Sequence, residues 1–181
     1  MRGCGTLADI TLSSRTVIRP YRSRAGSPRI QAIPVASTRA STAAIAPGQV
    51  VQFDGTSTSN HKIIRTSSNA ALNGLLPVTV AGVAAQADPA DGSVDPKISV
   101  WTADGDTEFI FPTKIAGTAS SLVGTALSLA YDSSLAINFL MASTGAGEMV
   151  WVTEVPSPGD TNGFVVGKFQ SSRVSNAVWV K

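Results

Sequence analysis

The chain has 181 residues, 43% of them apolar, which is enough for one sizeable core and too much for a chain disordered throughout. Charged residues make up only 14%, against roughly 25% in ordinary soluble domains. Cys4 is the only cysteine, which excludes an intrachain disulfide, and no apolar run approaches the roughly 20 residues of a membrane-spanning helix.

The net charge of +2 conceals an asymmetry. Residues 1–41 hold seven arginines and one acid, Asp9, whereas residues 42–181 hold seven basic and eleven acidic residues. A cationic leader and a mildly acidic remainder are suited to different partners. The start, MRGCGTLADITL, lacks the charged-then-apolar plan of a secretory signal, so manufacture in the cytoplasm without a membrane anchor is expected.

In chain order, residues 1–45 read as an extended basic arm. Pro20, Pro28 and Pro34 fix φ and remove donors, which opposes both helix and central strand. Val17, Ile18, Ile30, Ile33 and Val35 look too sparse to make a core. From Ala46 the texture changes to a β-rich body, residues 46–181, divisible into two modules at 46–113 and 114–181. APGQVVQFDGTS reads as turn, strand, turn. HKIIRTS (61–67) is the next strand, and SNAALNGLL (68–76) fits a single helical turn. Val78, Val80 and Gly82 alternate with Thr79 and Ala81 at a period of two. Ile98–Thr102 and Glu108–Phe111 form an expected hairpin around Ala103, Asp104, Gly105 and Asp106.

In LVGTALSLAYD, Leu127, Leu129 and Tyr131 alternate with Ser128 and Ala130, although residues 119–130 also carry a helical stripe through Leu122, Ala126, Leu129 and Ala130. AINFLMAS, EMVWVTEVP, GFVVGKFQ and AVWVK follow as strands, with Gly, Pro, Asp, Asn and Ser between them. The expected fold is all-β: a small barrel or sandwich body with an extended N-terminal arm and a β-rich C-terminal portion.

The search for chemistry yields no catalytic residue, no metal site and no cofactor. His61 is the only histidine, and no G-x-S-x-G elbow accompanies it. Asp104, Asp106 and Glu108 alternate as in a calcium loop, but Phe109 occupies the place of the required glycine, so a solvated turn is the better reading. Asp54, Asp88, Asp91, Asp104 and Asp160 sit in turn contexts, where Asp bonds nearby backbone amides. Nucleic acid is the competing partner for the arginines, with Tyr21 placed to stack on a base. No recognition-helix, zinc-finger or RNA-sheet motif supports it.

IAPGQVVQFDG, followed about 25 residues later by VAGVAAQADPADGSV, resembles the capsid decoration, or head cement, proteins of tailed bacteriophages. Gly48, Val50, Val51, Asp54 and Gly55 carry the first phrase, and Gly82, Val83, Ala84, Ala85 and Gly92 the second. VGTALSLAYDSS and ASTGAGEMVWVTEVPSPGDTNGFVVGKF resemble β modules of phage structural proteins, extending the likeness over about 120 residues, Ile45 to Phe169. The resemblance implies a structural virion protein on the outer capsid surface, where it stabilises the shell by clamping neighbouring major capsid protein subunits as a homo-oligomer, trimer or dimer. An arm that orders on binding would then reach over neighbours, with Arg15, Ile18, Arg19, Arg22, Arg24, Arg29, Ile30 and Ile33 as contact candidates. Two other readings stand beside it. One is a different virion component, in the tail, neck or fibre base. The other is a carbohydrate-binding β-sandwich using Trp101, Trp151 or Trp179, although each of these tryptophans lies in an apolar strand suited to core packing.

Overall fold

The computed structural model describes residues 17–36, 44–54, 62–65, 80–88, 96–115, 118–142, 148–160 and 163–170. These residues form strands β1 (Arg19–Ser23), β2 (Ile30–Pro34), β3 (Val50–Phe53), β4 (Ile63–Arg65), β5 (Val80–Ala84), β6 (Lys97–Thr102), β7 (Thr107–Pro112), β8 (Ala126–Asp132), β9 (Ile137–Met141), β10 (Glu148–Glu154) and β11 (Phe164–Phe169). They build two antiparallel sheets, one of six strands ordered β1-β7-β11-β10-β8-β9 and one of five ordered β2-β6-β5-β3-β4. The all-β expectation is met, as two packed sheets rather than a closed barrel. No described helix is long and apolar enough to cross a membrane.

Both sheets curl on themselves. In the five-stranded sheet Val35 bridges Ile63, and the Ala36 N–H donates to the Ile63 carbonyl at 2.9 Å. In the six-stranded sheet Thr113, just past β7, bridges Leu140 of β9. Neither contact grows into a ladder.

One core cluster joins the two sheets. It contains Phe109, Phe111, Leu129, Val150 and Phe169 from the larger sheet with Val50, Val80 and Val83 from the smaller. Phe109, Phe111 and Phe169 are fully buried, and Phe169 meets each of the other two edge to face at 5.5 Å between centroids. The second cluster, with Ile33, Val35, Val51, Ile63, Ala84 and Val100, draws on all five strands of the smaller sheet. Adjacent residues Val50 and Val51 enter different clusters, as do Val83 and Ala84. At its middle the smaller sheet is buried on both faces, and β5, buried at every position, accordingly reads as an apolar run.

Buried amides fasten the sheets. Asn138 Oδ1 accepts the Val50 N–H at 2.8 Å, and Gln49 Nε2 donates to the Ala136 carbonyl at 2.6 Å. Each bond links the start of β3 to the β8–β9 hairpin.

The structure corrects the N-terminal expectation. Residues 17–36 are not an arm beside the body. Arg19 lies opposite Ile110 and Ser23 opposite Thr107, then Ile30 opposite Trp101 and Pro34 opposite Lys97. Between these, the Arg24 N–H donates to the Asp106 carbonyl at 3.3 Å and the Thr102 N–H to the Arg29 carbonyl at 3.0 Å. Residues 19–34 thus run along residues 97–110 as one bent antiparallel ribbon that crosses from one sheet to the other. The prolines that argued against a central strand are compatible with an edge strand, where a missing donor costs no ladder bond. Apolar residues too sparse for a core of their own suffice to complete a core built mostly by others: Ile18, Ile33 and Val35 are 0%, 3% and 0% exposed.

Two smaller expectations change with it. A turn does form at residues 103–106, where Asp104 Oδ1 accepts the N–H groups of Asp106 and Thr107 at 3.0 and 2.9 Å. However, β6 and β7 do not pair with each other, because the turn carries the chain from one sheet to the other. The chain therefore crosses between the sheets at this turn, as it does between β1 and β2. The helical alternative for residues 119–130 is reduced to one 3-10 turn, Ser120–Leu122, before β8 begins. The helical turn proposed for 68–76, the final strand AVWVK, Arg15, Cys4 and His61 lie outside the described residues.

Candidate docking surface

The ribbon has two kinds of position. Its anchors point inward: Ile18 joins the core between the sheets and Ile33 joins the second cluster. Gly48 shows how closely the ribbon is seated. It has φ +81, and a Cβ there would come within 2.3 Å of the Val17 Cβ.

Between the anchors, residues 19–30 carry four arginines and no acid. Arg19, Arg22, Arg24 and Arg29 are all exposed, and so are Tyr21 at 47% and Ile30 at 58%. The exposed stretch follows from a β-bulge between Pro20 and Arg22, which leaves Tyr21 without a partner on β7. The six-residue connector that follows is nearly all exposed.

Arg22 is fixed in place. Its Nε donates to Glu108 on β7, its guanidinium meets Glu154 on β10 at 3.0 Å, and it lies 5.4 Å from the Tyr21 ring centre. The bond from Glu108 raises the Arg22 pKa above its ordinary value, with the Glu154 charge adding to the effect, so the guanidinium keeps its proton. Arg19 and Arg24 have no carboxylate partner among the described residues. They lie on the same edge strand and connector as the paired Arg22, beside an exposed aromatic ring. Arginine forks of this kind pair with carboxylates or phosphates.

Of the eight residues expected to make contacts, the structure leaves Arg19, Arg22, Arg24, Arg29 and Ile30 exposed. It removes Ile18 and Ile33 to the interior, where they cannot reach a neighbour. Residue-type reasoning missed the two glutamates that fix Arg22. It also placed Trp151 in the core, although Trp151 is 42% exposed. Strict alternation with buried Val150 and Val152 was the signal available for that residue. Trp101 instead packs partly buried against the core.

Among the described residues, no group of three or more His, Cys, Asp or Glu side chains is placed to hold a metal ion. Compared with known proteins, the chain matches no family model, and no curated protein matches it.

Proposed function

We propose that this chain is a structural protein that binds the outside of a capsid-like protein shell, and that the cationic ribbon at residues 19–30 is its docking edge. The earlier picture of a free arm draped over neighbours is replaced, for residues 17–36, by a preformed edge that loses little conformational freedom on binding. The observation that carries the reading is the placement of the two phrases behind the resemblance to decoration proteins. They are neighbouring strands: Val50 of β3 lies opposite Val83 of β5, and Val51 opposite Gly82. Gly82 also has a structural reason to be glycine, since a Cβ there would come within 2.0 Å of the Trp101 carbonyl oxygen on β6. The phrases therefore form one folded unit and are not scattered turn residues. The ribbon's charge favours an acidic partner surface, and many weak contacts on one lattice reinforce each other.

A carbohydrate-binding reading is carried less far. It needs a platform of aromatic rings, and of the tryptophans proposed for one, Trp101 lies against the core.

The test is co-sedimentation of purified protein with expanded, DNA-free shells of the parent particle. Binding that weakens steeply with salt is expected, and replacing Arg19, Arg24 and Arg29 with serine should reduce both the binding and its salt dependence. Protein that ignores such shells yet binds free DNA tightly would overturn the proposal.

A further inference from the structure

The outer face of the larger sheet differs from the ribbon in one respect that identifies its partner. At its centre is Trp151 on β10, with Lys168 of β11 on one side and Ala126 of β8 on the other. A bulge between Val152 and Glu154 makes Glu154 the next residue on the same face as Trp151. The exposed indole is thus bordered by a lysine across the ladder, by a carboxylate along the strand, and by a methyl group that leaves its remaining side open. Glu154 is held in place by Arg22 at 3.0 Å. Lys168 and Glu154 give this face both signs of charge around the indole, so it can complement a second copy of itself.

We propose that this face is a two-fold contact with a second copy of the chain. A two-fold axis lying in the plane of the face, diagonal to the strands, places Trp151 against its own copy and Lys168 over the partner's Glu154. The strands then cross near a right angle, one of the two ways in which sheets pack. Such a contact is isologous, so every polar pairing occurs twice. The other route to a β dimer, pairing of free edges, is blocked at β1 by Pro20, the bulge and the arginines. Trp, Tyr and Arg are also the residue types that carry most binding energy in protein interfaces, and Tyr21 and Arg22 border this face. The inference stands independently of the shell reading.

The experiment is sedimentation velocity of the full chain at about 0.1 mM protein and low ionic strength, where contacts of even modest affinity are populated. The wild type should sediment as a dimer. Trp151→Ser should shift it to monomer, weakening association at least roughly tenfold, while the variant still unfolds cooperatively on heating. Lys168→Glu and Glu154→Lys should each weaken the dimer, and an equimolar mixture of the two variants should restore it. Should Glu154→Lys fail to fold for want of its bond to Arg22, Trp151→Ser and Lys168→Glu decide the matter alone. A wild type that is monomeric under these conditions, or a Trp151→Ser variant that dimerises as the wild type does, would overturn the proposal. Quenching of Trp151 fluorescence by an oligosaccharide in a protein that stays monomeric would do the same, and would assign the indole to sugar stacking.

Discussion

The ends and the middle of the N-terminal ribbon have opposite fates. Ile18, Ile33 and Val35 complete two cores, whereas Arg19, Arg22, Arg24, Arg29, Tyr21 and Ile30 face outward. A stretch that looks unable to fold alone need not be free. It needs a partner strand, and residues 97–110 supply one along nearly its whole length. Stability here is lent by the rest of the molecule, and the arginines are displayed on what remains exposed.

The sharpest way to break the comparison is to truncate an anchor. Ile18→Ala or Ile33→Ala should lower unfolding free energy by about 2–5 kcal/mol, as measured by urea denaturation. A loss below about 0.5 kcal/mol would mean that the residue packs against nothing. Gly48→Ala comes next. It strains a left-handed backbone and drives a methyl group into Val17, and a loss of about 1–3 kcal/mol is expected in the same assay. Asn138→Ala should cost a similar ~1–3 kcal/mol, because the buried Val50 N–H loses its acceptor. The middle of the ribbon should behave in the opposite way. Replacing Arg19, Arg24 and Arg29 together with serine should change stability by no more than about 0.5 kcal/mol per site, while reducing attachment to shells.

The smallest expected effect is one of pH, far from the ribbon. The Asp132 carboxyl is held below its usual pKa, first by the Lys114 ammonium at 2.6 Å and then by the Leu135 N–H. A depressed carboxylate pKa contributes stability that is present above its unfolded value and is lost as pH falls through its folded value. Acid titration of the melting temperature should therefore show a slightly shallower decline below about pH 4 in Asp132→Asn than in the wild type. The amide oxygen can still accept the Ser134 and Leu135 N–H groups, so the hairpin should remain folded.

Much of the β architecture was legible from local pattern. Val50–Phe53, Ile137–Met141 and Phe164–Phe169 are bounded by turn residues and rich in β-prone side chains, and these strands form where expected. Asp104 also behaves as turn chemistry predicts. What local pattern could not show was pairing between distant segments. Pro20 and Pro34 argue against strand only when the strand is central, and nothing near them in sequence reveals that β1 and β2 are edges. The same limit hid the separation of β6 from β7, since a tight turn looks alike whether it closes a hairpin or links two sheets. Half of the docking surface could be read from residue type, namely the arginines. The other half, Glu108 and Glu154 holding Arg22, depends on strands 86 and more residues away in the chain.

The most direct test of the central claim is amide hydrogen exchange followed residue by residue across positions 17–36 of the isolated protein. The ribbon predicts slow exchange for the amides that bond to β6 and β7, at rates approaching those of β3 and β11, and fast exchange through the exposed connector at residues 25–28. Uniform exchange at unfolded-chain rates from Val17 to Ala36 would contradict it and would restore a free arm in its place.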